Sequence, residues 1–288
     1  MRTMWMLAGA AVAFAATGAR ADILTVCSEA SPDFLNSALT DSNTSFDVSE
    51  QIADRLVEME IGGSKVIPGL AESWSVSPDG LHYTFKLRHG VKFQSNANFK
   101  PTRDMNADDV VFSFTRYSDD ANPYKKLGQQ YPMFSDYIAP VVTAVRKVSD
   151  DTVEFELKEP SAPLISVLTV QSFSIWSAEY AAAMEKAGTP DQLDFAPLGT
   201  GPFQFVNYQK DSLVRFKKFD DFWGAKGGMP NRAAKVDQLI YAITPDASVR
   251  FASCAPTSAR FCATRTPPIC RRCARRRASS SPRRRSRP

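Results

Sequence analysis

The chain has 288 residues, a formal net charge of +4 and 43% hydrophobic residues, which is enough apolar sequence for a sizeable folded core. The positive charge comes from the two ends. Residues 252–288 hold eleven Arg and no acidic residue, and the first 21 residues hold two Arg, so residues 22–251 keep 22 basic against 31 acidic side chains, a net charge of −9. An acidic body disfavours nucleic acid or an anionic membrane surface as its partner.

The N-terminus has the pattern of an export signal. Arg2 precedes an apolar run over residues 4–16, and small residues follow it as far as Ala19-Arg20-Ala21. A membrane-spanning helix needs about 20 apolar residues, and this run is shorter. We therefore expect cleavage after Ala21 and a mature chain outside the cytoplasm that begins at residue 22.

Three β-hairpins are predicted where apolar and polar residues alternate around turn sequences. In the first hairpin, Tyr83, Phe85 and Leu87 share the face that we expect to be buried. The predicted pairs are 72–76 with 83–88, 142–148 with 152–157, and 203–208 with 213–219.

Three helices are predicted from capping residues and apolar spacing. The first covers residues 49–58 and carries an apolar stripe at Ile52 and Leu56. The second runs from an Asn106 N-cap to about residue 116, and the third from a Ser177 N-cap to residue 186, with Gly188 just beyond its end. Together with the hairpins, these helices predict a mixed α+β body.

The sequence lacks the residue patterns of an enzyme. The two histidines, His82 and His89, have no cysteine or carboxylate at metal-ligand spacing. The segment GTGPF at 199–203 has neither a GxGxxG pattern nor a Walker lysine, so it is interpreted as a turn that leads into a strand. Asp108 and Asp109 fall in the first turn after Asn106, where acidic residues favour the helix dipole. No catalytic residue, metal site or cofactor is predicted.

Cysteine is rare in the acidic body, where only Cys27 occurs. An exported protein with one cysteine has an odd thiol that calls for a partner, and we interpret Cys27 as a structural cysteine. Moving the reading frame by one nucleotide after the codon of residue 252 is compatible with a continuation that contains Asn-Glu-Cys-Gln, which would supply a partner.

Residues 252–288 differ in composition from the rest of the chain. They contain four of the five cysteines and no Lys, Asp, Glu or Gly, the composition of a GC-rich gene read out of frame. We predict that this segment is non-native sequence and disordered. Two alternatives stay open: a genuine disordered tail, or a basic arm of an interaction protein that binds nucleic acid or a membrane.

The acidic body also contains a series of short segments in a recurring order. They are DRLVE at 54–58, VIPGLAESW at 66–74, SPDGLHYTF at 77–85, GVKF at 90–93, NADDVVFSF at 106–114, GTGPF at 199–203 and ITPDASVR at 243–250. In order and spacing, residues 22–251 resemble the family 5 bacterial extracellular solute-binding proteins.

The resemblance implies the type II (cluster C) periplasmic binding fold, in which two lobes close on a ligand. For this chain it implies an α+β first lobe with the second lobe missing. The expected parts are a mixed sheet domain at 22–50 and 204–251 and an inserted α/β subdomain at 66–200.

The function implied by the resemblance is a non-catalytic, periplasmic substrate-binding component of an ABC importer for dipeptides or other peptides. The expected partners are a small peptide and the permease subunits, and the expected state is a monomer without a cofactor. The chain as written is expected to be inactive, because one lobe supplies one wall of the cleft. Haem, nickel, glutathione or longer oligopeptides remain alternative ligands within the family.

The candidate ligand-binding residues are Asp41, Ser42, Asn43 and Thr44, which belong to the polar loop at 40–44. In similar proteins the corresponding loop lines the cleft, and polar side chains suit recognition of a peptide main chain. The alternative is an ordinary solvated loop. The resemblance places the groups for the charged ends of a peptide in the second lobe, so no residue here is assigned to them.

Overall fold

The structure is a computed structural model that describes residues 21–226 and 228–253 and the backbone of 260–262. The strands are β1 (Ile23–Ser28), β2 (Val57–Met59), β3 (Val66–Pro68), β4 (Ala71–Val76), β5 (His82–Leu87), β6 (Val142–Ser149), β7 (Thr152–Leu157), β8 (Phe203–Gln209), β9 (Leu213–Lys218), β10 (Gln238–Ile243) and β11 (Arg260–Cys262). The α-helices are α1 (Asn43–Ser49), α2 (Ala107–Thr115), α3 (Leu164–Val167), α4 (Ala178–Lys186), α5 (Gln192–Phe195) and α6 (Ala247–Ser253). Short 3-10 turns lie at Ser37–Leu39, Lys125–Leu127, Gln171–Phe173, Trp223–Lys226 and Pro230–Arg232, and a π-helical turn lies at Phe134–Ile138.

The strands form two main sheets and a short ribbon. A five-stranded sheet has the order β11-β1-β10-β9-β8, in which β1 runs parallel to both β10 and β11. A four-stranded antiparallel sheet has the order β4-β5-β7-β6, and β2 pairs with β3. Each main sheet packs on its own apolar cluster. The predicted mixed α+β fold is confirmed.

All three predicted hairpins are present with nearly the predicted bounds: β4 with β5, β6 with β7, and β8 with β9. On β5, the side chains of Tyr83, Phe85 and Leu87 are buried as predicted. Alternation of apolar and polar residues therefore identified both the strands and the buried face, because side chains of a strand point to opposite faces in turn.

The helices at 107–115 and 178–186 are also confirmed, together with their caps. Asn106 and Asp109 form a capping box at the start of α2, where the Asp109 carboxylate accepts from the Asn106 amide at 2.9 Å. Ser177 accepts from the Tyr180 amide at the start of α4. Gly188, with φ of +73°, follows the end of α4 in the left-handed conformation that glycine adopts without strain.

The predicted helix at 49–58 is wrong. A shorter helix, α1, ends at Ser49, and the following residues 51–56, called here the crossover segment, are not helical. Their carbonyls instead accept hydrogen bonds from distant amides: Ile52 from Gly201, Asp54 from Ile175 and Arg55 from Leu70, at 2.8–2.9 Å. The apolar stripe was real, since Ile52 and Leu56 are buried, but long-range pairing of the backbone replaced the local helix.

The GTGPF segment packs directly against the crossover segment. A β-carbon on Gly201 would lie 2.6 Å from the carbonyl carbon and 2.7 Å from the oxygen of Ile52, so only glycine fits there. The contact between GTGPF and the crossover segment is called here the junction. The fully buried Gln94 strengthens it, because its side-chain nitrogen donates to the carbonyls of Ile52, Gly201 and Phe203 at 2.8–3.1 Å. The interpretation of GTGPF as a turn into a strand agrees with these contacts.

The structure departs from the predicted disorder of residues 252–288 at two places. Helix α6 extends to Ser253, and residues 260–262 form β11 beside β1. The outer edge of a strand offers unpaired backbone groups to any extended segment, which accounts for this pairing. Residues 254–259 and 263–288 lie outside the described residues, as do residues 1–20, on which the predicted export signal falls. Within the described part, no helix has the length and apolar character needed to cross a membrane.

Replacing Gly201 tests the junction. We expect Gly201→Ala to lower the free energy of unfolding by roughly 3 kcal/mol, because the added methyl group would meet backbone atoms of Gln51 and Ile52, which relax less easily than a side chain. Urea denaturation measures the loss.

The matched control is Gly128→Ala. Gly128 has φ of +68°, and a β-carbon added to it would meet nothing within 4 Å, so the change should cost about 1 kcal/mol of backbone strain alone. Equal losses in the two variants would contradict the close packing at Gly201.

Candidate functional site

The four candidate ligand-binding residues lie where the chain enters α1. Ser42 is the N-cap residue, and α1 begins at Asn43. Asp41 and Asn43 are exposed, whereas Ser42 and Thr44 are half-buried and their hydroxyl oxygens lie 3.0 Å apart. Among the described residues, the side chains of Asp41 and Asn43 have no hydrogen-bonding partner. The structure therefore leaves two polar side chains of this loop available to a ligand.

The helix behind this loop is fixed to the five-stranded sheet and to the preceding segment. The Ser45 hydroxyl accepts from the amide of Asp33 at 2.9 Å, and the Tyr241 hydroxyl of β10 donates to the carbonyl of Asp47 at 2.9 Å. Burial, with the nearby Asp47 and Glu50 charges, raises the pKa of Tyr241. Tyr241 therefore stays a neutral hydrogen-bond donor at neutral pH.

A buried ion pair lies beneath the segment that leads to the loop. Arg116 Nη1 is 3.4 Å from Asp194 Oδ1, and both side chains are almost completely buried. The guanidinium also lies 5.1 Å from the ring centre of Tyr131, a cation–π contact. Burial raises the pKa of Tyr131, and it does the same for the pKa of the neighbouring Tyr124. This part of the interior keeps its charges paired and its tyrosines neutral.

A second buried charge cluster surrounds the crossover segment. Asp54 Oδ2 accepts from Thr200 Oγ1 at 2.9 Å and from the indole nitrogen of Trp223 at 2.7 Å. Arg232 Nη1 lies 2.9 Å from Asp54 Oδ1 and 3.0 Å from Glu58 Oε1, and Arg55 donates to Glu58. The cluster joins the loop between β9 and β10 to the crossover segment.

Charge compensation keeps this second cluster stable. Burial by itself would lower the pKa of Arg232, but the carboxylates of Asp54, Glu58 and Glu50 outweigh it and raise that pKa. Sequence reasoning missed the cluster because Arg232 is 174 residues from Glu58 along the chain. The signal that could have indicated the cluster is the pair of acidic residues in DRLVE, because acidic side chains that become buried need basic partners.

The cysteine and the two histidines singled out in the sequence lie on or near strands β1 and β5. Cys27 is buried on β1 and has no disulfide partner among the described residues. His82 and His89 lie on or near β5, each 3.4 Å from a carboxylate. No group of three or more His, Cys, Asp or Glu in the described part could hold a metal ion. Trp176 belongs to the apolar cluster of the five-stranded sheet, and the partly buried Trp74 packs on that of the four-stranded sheet.

A cavity of about 360 Å³ lies elsewhere, between the stretch 92–104 and the end of β9. Two of its basic residues are already paired, Lys92 with Asp221 at 3.3 Å and Arg103 with Asp109 at 2.6 Å. None of its lining residues belongs to the loop at 41–44. Its charges therefore do not add to the candidate site.

Known proteins match this chain both in structure and in sequence. The crystal structure of a dipeptide-binding protein from Pseudoalteromonas sp. SM9913 in complex with Met-Leu matches 80% of this chain and 45% of that chain, with a TM-score of 0.75 and 36% identity. The chain is 50% identical over 240 residues to the dipeptide-binding protein of Escherichia coli (strain K12), covering 82% of this chain and 44% of that protein. It is 43% identical over 229 residues to heme-binding protein A of Haemophilus influenzae, covering 78% of this chain and 41% of that protein.

These matches define one lobe of a two-lobed extracellular binding protein. Residues 65–267 match the family model of the bacterial extracellular solute-binding proteins, family 5 Middle, and the chain belongs to this family. Its members are binding proteins and not enzymes. The chain spans less than half the length of the relatives described above, and the architecture that it shares with them is that of the first lobe.

Removing Arg232 tests the charge cluster. We expect Arg232→Met to lower the free energy of unfolding by about 3 kcal/mol or more, because it leaves the buried Asp54 without a basic partner among the described residues and Glu58 with Arg55 alone. Urea denaturation at neutral pH provides the measurement.

Arg146→Met is the matched control. The Arg146 side chain is 60% exposed in its ion pair with Glu156, so its replacement should cost less than about 1 kcal/mol. A loss of that small size for Arg232→Met would show that the buried cluster does not stabilise the fold.

Proposed function

We propose that the chain is the first lobe of a periplasmic substrate-binding protein that delivers dipeptides or other short peptides to an ABC importer. The observation that carries the proposal is the 50% identity, over 240 residues, to a protein named for dipeptide binding. The solved dipeptide-binding protein with Met-Leu supports it, since the match covers 80% of this chain.

The ligand contacts proposed for this lobe are the polar groups of Asp41, Ser42, Asn43 and Thr44. A peptide main chain presents amide donors and carbonyl acceptors that must be hydrogen-bonded when they leave water. Asp41 offers acceptors and Asn43 offers both kinds of group, and neither side chain has a partner within the described residues. Such contacts do not depend on the ligand's side chains, which suits a binding protein for varied peptides.

One lobe supplies only one wall of a cleft. The charged ends of a dipeptide lose their hydration on binding, and an unpaired desolvated charge costs several kcal/mol. The opposite charges that would pair with them are expected in the second lobe. We therefore propose that the 288-residue chain by itself binds dipeptides weakly.

The setting of this function follows from the sequence and the family. The signal-like N-terminus implies export with cleavage after Ala21. The partners are then a small peptide and the permease subunits of an importer, and a monomer suffices because ligand recognition needs no second copy. The acidic body, with net charge −9 over residues 22–251, does not suit nucleic acid.

Haem is the second candidate ligand, because the chain is 43% identical to a heme-binding protein over 229 residues. Haem iron is usually held by His, Cys, Met or Tyr side chains, and the loop at 40–44 contains none of them. The polar character of the loop therefore favours the peptide.

Calorimetric titration tests the proposal. We expect Met-Leu and related dipeptides to bind the 288-residue chain with roughly millimolar affinity, and haem not to bind more tightly. Micromolar binding of a dipeptide would refute the one-wall argument, and tighter binding of haem would refute the peptide assignment.

Variants of the loop complete the test. Asn43→Ala should weaken the NMR shifts that Met-Leu induces, whereas Asn98→Ala should leave them unchanged, because Asn98 is an exposed asparagine in another loop. Equal responses of the two variants would remove the loop from the proposed site.

A further inference from the structure

Asn36 lies between β1 and α1, and both ends of its side-chain amide form hydrogen bonds. The residue is fully buried. Its Oδ1 accepts from the Ala38 amide at 3.0 Å, which caps the 3-10 turn at Ser37–Leu39. Its Nδ2 donates to Asp194 Oδ1 at 2.6 Å, across 158 residues of sequence. Asn36 thus joins the turn before the candidate loop to α5.

The Asp194 carboxylate is held in place by two other side chains of the protein interior, so it offers Asn36 a fixed acceptor. Gln129 Nε2 donates to Asp194 Oδ2 at 3.0 Å, and Arg116 approaches Oδ1 at 3.4 Å. The carboxylate is fully buried. Hydrogen bonds to a buried, ionised acceptor are stronger than those between neutral groups, so the Asn36 contact is the strongest link between this turn and α5.

Two further contacts attach the same stretch of chain. The rings of Phe34 and Phe195 lie 5.9 Å apart, next to the hydrogen-bonded pair. The Ser37 hydroxyl donates to the carbonyl of Gln171 at 2.7 Å. From this attachment the chain reaches Asp41 within four residues, and Thr40 is buried with its hydroxyl accepting from the Ser42 amide at 2.9 Å. The position of the turn therefore determines where the loop begins.

We propose that Asn36 is a positioning residue for the ligand loop. The buried Asp194 carboxylate, acting through Asn36, fixes residues 37–40 and so orients Asp41 to Thr44 for contact with a peptide main chain. This role rests on the proposed function. Asn36 itself does not touch the ligand, because its amide is buried and fully engaged.

The hydrogen bond from Asn36 to Asp194, called here the clamp, can be removed without unfolding the protein. Without the Asn36 amide, Asp194 keeps Arg116 and Gln129 as partners. Helix α1 keeps its bonds through Ser45 and Tyr241. Loss of Asn36 should therefore loosen residues 37–44 while leaving both sheets folded.

Hydrogen exchange of backbone amides tests the clamp with three variants of the full chain. Asn36→Ala removes the cap and the clamp. Asn36→Ser keeps a cap acceptor but has no donor that reaches Asp194. Gln129→Ala removes a different hydrogen bond, the one that the Gln129 side chain donates to the Asp194 carboxylate, and leaves the loop residues unaltered. We expect exchange of residues 37–44 to accelerate about tenfold or more in both Asn36 variants, the factor that a hydrogen bond to a charged group is worth, and about twofold or less in Gln129→Ala.

Protection at the unaltered level in Asn36→Ser would show that the cap alone holds the turn, and it would overturn the proposal. Equal acceleration in Asn36→Ser and Gln129→Ala would also overturn it, because the effect would then be general loosening around Asp194.

Titration with Met-Leu supplies the ligand readout. Ligand-induced NMR shifts at residues 40–44 should be present in the unaltered chain, retained in Gln129→Ala and lost or reduced in Asn36→Ser. Absence of these shifts from the unaltered chain would refute the ligand role of the loop, while the exchange contrast would still show whether the clamp exists. Retention of the shifts in Asn36→Ser would refute the positioning role.

Discussion

The backbone carbonyls of the crossover segment, residues 51–56, hold the two sheets of this lobe together. They accept from amides of three separate stretches of chain, at Leu70, Ile175 and Gly201. Buried carbonyls must be hydrogen-bonded, and a helix here would have used them locally. Because the segment is not helical, its backbone carbonyls are free to make the contact between the five-stranded sheet and the four-stranded sheet.

The side chains around this junction complete what the backbone begins. Gly201 allows its backbone to approach that of Ile52 closely, and Gln94 donates to three carbonyls. Asp54 accepts hydrogen bonds from Thr200 and Trp223 and forms an ion pair with Arg232. Burial of these charges is tolerable because acids and bases are matched. The junction is thus a structural feature, and the candidate ligand loop lies away from it at the start of α1, attached through Asn36 to a different buried carboxylate.

Local patterns predicted what local physics controls. The strand β5 and the capped helices α2 and α4 follow from alternation and from Asn106 and Ser177, which act within a few residues. The prediction of a helix at 49–58 was wrong because amides distant in sequence donate hydrogen bonds to the carbonyls of Ile52 and Asp54. No local sequence pattern carries that information. The Asp194 cluster was missed for the same reason, since Asn36 and Gln129 meet it only in the fold. The four loop residues were singled out by resemblance, and their ligand role stays a prediction.

Native-state hydrogen exchange measured with increasing urea tests most directly whether the junction makes the two sheets one cooperative lobe. The amides of Leu70, Ile175 and Gly201 should exchange only in the global unfolding that also exposes Phe85 of β5 and Phe216 of β9. All five amides should then report the same free energy of opening. Exchange of the amides of one sheet at a lower free energy, while those of the other sheet stay protected, would contradict this account.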